Sequence, residues 1–332
     1  MSAEPQPGEP SPDDGNPGHG RLDPALGSDD EFVPNSDLPK VPTGSKTDLA
    51  PGVYNHYGPH HNGLPPLKKY LTELWQRREF AFELSRSNMR ATSSDTFFGQ
   101  IWLVLNPLLM AGVYFLLVAI LSNRVASDPV YFPFLTTSLF AFTLVTTCAN
   151  AGSTSVTTAG KLLLNTAFPR LLIPLGAVHT AFFRFLPTLP VSLVIYLFWW
   201  RAIEWSPKQL LASYFLLMML LFGAGLAAIF ATMQVYFRDT NNFLPFFIRI
   251  WTYLSPILWS PIHLADKPEW LQTAAQLNPA YSMLSGYSSL LIEGDFPRLS
   301  YWLIATAWGV GTLIVGSLFF MSREREFAVR IY

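Results

Sequence analysis

Residues able to do chemistry are sparse in most of this 332-residue chain, and they fall in a few defined places. The stretch VYFRDTNNFLPFF, 235–247, sets Arg238, Asp239, Thr240, Asn241 and Asn242 between two apolar runs. Residues 209–234 carry no charge, and beyond the stretch Arg249 is the only charge up to Ser260. A second group, Lys68, Lys69, Arg77, Arg78, Arg86 and Arg90, lies just upstream of the first long apolar run. Basic residues in that position attract anionic lipid headgroups. His56, His60 and His61 have no Cys or carboxylate cluster nearby to complete a metal-ligand set, so we read them as solvated histidines. Gly160-Lys161 is followed by Leu162 and has no upstream Gly, so the phosphate-binding loop pattern is missing. If ATP is used, another chain must bind it.

The elements that position these residues follow from composition. Half of the chain is hydrophobic and only 14% is charged, against about 25% in soluble domains. The charge is unevenly placed. Residues 1–66 hold 10 acidic and 3 basic residues, a net of −7, so the remainder carries +6 of a chain total of −1. That first segment holds 13 Pro and 9 Gly. It cannot bury enough apolar surface to offset its ordering entropy, and the expectation is a disordered tail without a signal peptide. The single cysteine, Cys148, excludes an intrachain disulfide and reads as a small packing residue.

A helix needs about 20 apolar residues to cross a bilayer. Six segments qualify: about 101–121, 129–152, 171–200, 209–235, 243–265 and 299–321. The expected fold is therefore an all-α integral membrane protein, with a six-span domain over 99–332. Segment 267–292 is uncharged over most of its length but too polar to span, and Asn278-Pro279 breaks it. We read it as a re-entrant helical hairpin, allowed only where protein or water covers the break. Upstream, within 67–98, the stretch 67–86 places Leu67, Leu71, Leu74, Trp75 and Phe82 near one helical face with Lys and Arg around them, the pattern of a helix lying in the membrane interface.

Lys and Arg fix the orientation. Six spans put both ends of the chain on one side. That side holds twelve basic residues, and the other holds five: Arg124, Arg201, Lys208, Lys267 and Arg298. Both termini are expected in the cytoplasm, and the hairpin outside. No expected span contains Asp or Glu, which leaves ion-coupled transport little to work with. Asp266, Glu269, Glu293 and Asp295 fall on the outer side, away from nucleotide-sugar substrates, which argues against a glycosyltransferase. Arg184 lies mid-membrane if the third span starts near Leu171, and snorkels to the inner interface if it starts nearer His179. Pro187 and Pro190 can kink the helix beyond it. Arg249 is expected to snorkel.

Four blocks in order carry a resemblance. VYFRDTNNFLPFFIRIWTYLSPILW contains Arg238-Asp239 and then Tyr253, Ser255 and Pro256. Leu277, Asn278 and Pro279 follow in QLNPAYSMLSGY. GKLLLNTAFPRLLIPL carries Phe168, Pro169, Arg170 and Pro174. FFGQIWLVLNPLL carries Gly99, Trp102, Asn106 and Pro107, and the chain ends in SREREFAVRIY. Over 67–332 this resembles the membrane subunits of bacterial polysaccharide-exporting ABC transporters, the Wzm-like family.

The resemblance implies an ATP-driven exporter of a polyprenyl-diphosphate-linked glycan in the bacterial inner membrane. It implies a homodimer that pairs with two ATPase subunits. ATP and Mg bind on those subunits, while this chain holds no cofactor or metal, catalyses nothing alone and binds no nucleic acid. Arg238, Asp239, Thr240 and Asn241 would form one short coupling segment to the ATPase, and the region around 153–169 with Lys161 another. Asp239 is also placed to cap the next helix. Lys68, Lys69, Arg77, Arg78 and Arg90 become candidates for the lipid diphosphate or the interface. Arg184, Tyr253, Asn278, Pro279 and Tyr281 become candidates for the channel or gate, and aromatics such as Trp251 and Trp259 could stack sugar rings. The Pro-rich acidic tail is actinobacterial in style, which makes a cell-wall galactan the expected cargo, with teichoic-acid and O-antigen polymers as neighbours. A drug or small-lipid exporter and a non-transporting scaffold of glycan assembly are the alternatives.

Overall fold

The computed structural model describes residues 66–93, 99–121, 128–160, 162, 168–199, 201–203, 205–264 and 267–330. The tail expected over 1–66, apart from Pro66, and Lys161 of the second coupling segment lie outside the described residues. All regular structure among the described residues is helical.

The main helices are α1 (Leu67–Gln76), α2 (Arg78–Ser93), α3 (Trp102–Leu121), α4 (Tyr131–Thr158), α5 (Leu172–Phe185), α6 (Thr188–Phe198), α7 (Ala212–Tyr236), α8 (Thr240–Leu254), α9 (Glu269–Leu277), α10 (Pro279–Ser288) and α11 (Leu299–Arg323). Among the described residues, five helical stretches are long and apolar enough to cross a membrane: Trp102–Leu121, Tyr131–Thr158, Leu172–Phe198, Pro207–Tyr236 and Leu299–Glu326. The third is α5 and α6 in series, interrupted at Leu186-Pro187, where the sequence places a kink. Its helix starts at Leu172, so Arg184 stands next to the interruption, near the middle of the stretch.

The expected span at 243–265 is not a continuous helix. α8 has 15 residues and ends at Leu254, about 22 Å at roughly 1.5 Å per residue, short of a hydrocarbon core of about 30 Å. The cause is Pro256. A residue before proline is pushed out of the helical region, and Ser255 is extended at φ −93°, ψ 152°. The chain then continues through turns and a short 3₁₀ piece, Pro261–Leu264.

The core is a close-packed block of α4, α7 and α11 that leaves no room for side chains at the contact. A Cβ on Gly316 would collide with the Gly225 carbonyl, one on Gly225 with the Thr312 backbone, and one on Gly152 with Ala227. Contacts rise together along the three sequences (Cys148 with Gly223, Met218 with Gly309), so the helices run parallel. Parallel neighbours need return passages, which α5–α6 and segment 240–298 supply. Tyr196 of α6 shares a 2.6 Å hydroxyl hydrogen bond with Thr137 near the start of α4. Leu258 accepts from the Tyr131 hydroxyl at 3.0 Å, and Leu291 accepts from the Gln209 amide at 3.1 Å. Segment 240–298 therefore leaves from the end where α7 stops and arrives at the end where α7 starts. We call these the near end (ends of α4, α7 and α11) and the far end.

The amphipathic stretch at 67–86 forms two helices with Arg77 between them. α1 leaves Leu67, Leu71 and Trp75 uncovered on one stripe, as an interfacial helix would. α2 differs from expectation, because part of it packs against protein. Ser85 is fully buried and accepts from the Thr180 hydroxyl at 2.9 Å, and Phe82 lies 4.0 Å from His179 between ring centroids.

Candidate functional site

The near end carries the larger polar cluster. α7 and α8 are joined by only Phe237, Arg238 and Asp239. Arg238, Asp239 and Asn241 are exposed, while Thr240 is buried and its hydroxyl donates to the Phe237 carbonyl at 2.7 Å. Asp239 occupies the N-cap position of α8, yet its side chain makes no capping bond. The capping expected of Asp239 is done by Gln234, whose Nε2 donates to the Arg238 carbonyl at 3.0 Å and whose Oε1 accepts from the Asn241 N–H at 2.8 Å. The Arg238 and Asp239 side chains are left facing outward on a turn stapled from inside.

The C-terminal segment folds back against Tyr236, the residue of α7 that precedes this turn. The Tyr236 hydroxyl donates to Glu326 Oε2 at 2.6 Å, and Arg330 Nε approaches the same oxygen at 3.1 Å with its guanidinium 4.2 Å above the Tyr236 ring. Two residues earlier, Glu324 Oε2 accepts from the Tyr70 hydroxyl of α1 at 2.6 Å. Arg170 donates to the Glu324 carbonyl, and the Leu171 N–H donates to the Tyr70 hydroxyl at 3.3 Å. Burial, reinforced by the Glu324 charge, pushes the Tyr70 phenol well up, so it stays a neutral donor. Phe320 and Phe327, both fully buried with rings 5.0 Å apart, anchor the segment beneath these bonds. Tyr70, Glu73, Arg77, Arg170, Glu324 and Arg325 line a polar cleft of about 400 Å³ here. Of the five basic residues singled out upstream, Arg77 alone lines this cleft; Lys68, Lys69, Arg78 and Arg90 are exposed, and Arg78 lies 4.8 Å over the Trp75 ring.

A second site lies between α7, α8, α9 and α11. It is a cavity of about 1150 Å³, bounded by Phe222, Phe230, Phe247, Trp251, Trp259 and Trp308 among other apolar side chains. Phe243, Phe247 and Trp251, four residues apart along α8, stack at 6.1 and 5.8 Å. Tyr253, Asn278 and Pro279 line the cavity, so the chain break between α9 and α10 opens onto it. Asn278 makes several bonds at once. Its Oδ1 accepts from the Trp251 indole at 2.8 Å and the Ala280 N–H at 3.0 Å, and its Nδ2 donates to the Leu254 carbonyl and the Ser255 hydroxyl at 3.1 Å each. Tyr281 is placed differently. It is buried, packed against Trp259 and Tyr301, and is not on the cavity wall. Trp251, Ser255, Gln234 and the Tyr70–Glu324 and Tyr236–Glu326 pairs carry these sites without having been singled out for these contacts from sequence. Only the nearness of Gln234 to the turn gave a signal.

Parallel apolar helices with polar turns gathered at one end define a multi-pass membrane protein. Residues 81–292 match the ABC-2 type transporter family, and the chain belongs to it. It is similar to the O-antigen export system permease protein RfbA of Myxococcus xanthus, 26% identical over 263 residues, 79% of this chain and 99% of the relative. It is also similar to a protein of the same name from Klebsiella pneumoniae, 27% identical over 250 residues, 74% of this chain and 92% of the relative.

Proposed function

We propose that this chain is the transmembrane subunit of an ATP-driven exporter of a polyprenyl-diphosphate-linked polysaccharide, a galactan or an O-antigen-type or teichoic-acid polymer. It works as a homodimer with two separate ATPase subunits, which bind ATP and Mg, in the bacterial inner membrane with both termini cytoplasmic. The near end is then cytoplasmic, and segment 240–298 supplies the sixth crossing.

The observation that carries this reading is the turn at 237–239. A partner that pushes on Arg238 and Asp239 moves two helices with little slack, because Gln234 closes the turn from inside. The names of the similar permeases support a polysaccharide as cargo. The aromatic face of α8 supports a path on which sugar rings stack. Arg77 and Arg170, in the polar cleft, supply cations for a lipid diphosphate. Depletion of the chain tests the proposal: lipid-linked polymer should accumulate inside the cell and disappear from its surface. Unchanged surface polymer on depletion would overturn it. The apolar lining of the large cavity favours a second reading, export of a small lipid or drug. In that case depletion changes sensitivity to apolar compounds and leaves the polymer alone.

A further inference from the structure

Glu324 and Glu326 lie two residues apart in the C-terminal segment and bind different parts of the near end. Glu326 holds Tyr236, the last residue of α7, at 2.6 Å. Glu324 holds Tyr70 of α1 at 2.6 Å, and through Arg170 and Leu171 the entry to α5. Pairs so distant in sequence (254 residues between Tyr70 and Glu324, 90 between Tyr236 and Glu326) meet only because this short segment lies between them. Its base does not slide, since Phe327 is fully buried against Phe320 in one apolar cluster with Val156 of α4, Ile173 of α5 and Val235 of α7.

A push on an exposed turn does work only if the base of the turn is braced. α7 and α8 can otherwise yield to a load on Arg238 and Asp239 by local tilting. We propose that the C-terminal segment is that brace, and that Glu324 and Glu326 are positioning residues holding the 237–239 turn in register with α1 and the entry to α5. Movement of the turn relative to α5 must break a charged hydrogen bond at one glutamate or carry the whole near end with it. An ATPase stroke then reaches the α1–α5 side as well as α7 and α8. This rests on the proposed coupling role of the turn, and it adds a role for residues outside that turn.

The test compares Glu326→Gln, Tyr236→Phe and the double variant with the wild type in the full transporter. Three quantities are measured: ATPase rate of the reconstituted complex with its ATPase subunit, thermal midpoint of that complex, and metabolically labelled polymer reaching the surface of intact cells. The brace predicts an ATPase rate and midpoint close to wild type while surface polymer per ATP hydrolysed falls about fivefold or more, the lower end of ordinary coupling energies. The double variant should lose no more than Tyr236→Phe alone, because Tyr236→Phe already removes the donor and Glu326→Gln acts on the same bond, turning its acceptor neutral. Glu326→Asp should recover part of the loss. Tyr70→Phe repeats the test at Glu324; because it leaves that buried carboxylate without its hydroxyl donor, its export is read against its own thermal midpoint. Surface polymer at wild-type level in Glu326→Gln and Tyr236→Phe overturns the brace, as does a fall only in proportion to ATPase rate or midpoint. Arg238→Ala/Asp239→Ala run alongside separates the two ideas. If that variant uncouples while Tyr236→Phe does not, the brace falls and the coupling turn stands. If neither uncouples, both fall.

Discussion

The Trp251 indole N–H donates to the Asn278 side-chain oxygen at 2.8 Å, tying the last turn of α8 to the first residue of the break between α9 and α10. The same side chain donates to Leu254 and Ser255, the carbonyl and hydroxyl freed where Pro256 ends α8. Two proline-induced breaks 23 residues apart thus satisfy each other.

Asn278→Ala should destabilise the protein by about 2 kcal/mol or more, since it removes a helix cap and leaves buried partners unpaired. Asn278→Asp keeps the acceptor and loses the two donated bonds, so it should fall between. Thermal midpoints in one detergent check the order. A wild-type midpoint for Asn278→Ala would remove the linking role.

The α7–α11 contact predicts a contrast between two glycines of one helix. Gly316→Ala meets the Gly225 carbonyl, whereas Gly311→Ala meets nothing within 4 Å. Overpacking of this kind costs about 1–3 kcal/mol. Gly316→Ala should lower the midpoint or the yield of folded protein, and Gly311→Ala should leave both alone. Equal behaviour would mean that α7 and α11 are not held at this distance.

Orientation is open to labelling in intact cells. In a Cys148→Ser background, cysteines at Lys69 and Val329 should be shielded from a membrane-impermeant thiol reagent, and one at Lys267 should react. Labelling at Val329 from outside would reverse the assignment of near and far ends.

Much of the helix layout was legible in the sequence because uncharged runs of about 20 residues leave few other solutions. The break at Asn278 and the interruption at Pro187 were legible for the same local reason, proline. The end of α8 was also written locally, in Ser255-Pro256, but the apolar residues beyond it continue the greasy run and hide the break. Long-range partners left no local trace. Nothing near Tyr70 announces Glu324, and nothing in α2 announces that Ser85 would meet Thr180. Tyr281 shows the same limit. The resemblance made it a channel or gate candidate, but its ring is covered by Trp259 and Tyr301. Asp239 had the right residue type and position for a cap, and Gln234 took the bond because the short turn brings its amide within reach.

The central claim, that an ATPase drives export through the turn between α7 and α8, is tested most directly by Arg238→Ala combined with Asp239→Ala. Both side chains are exposed and neither caps α8, so the variant should insert and fold like the wild type. Labelled polymer at the cell surface is measured against the amount of variant in the membrane. The account predicts that surface polymer falls at least tenfold while lipid-linked polymer builds up inside. Wild-type surface polymer from a normally inserted double variant would contradict it.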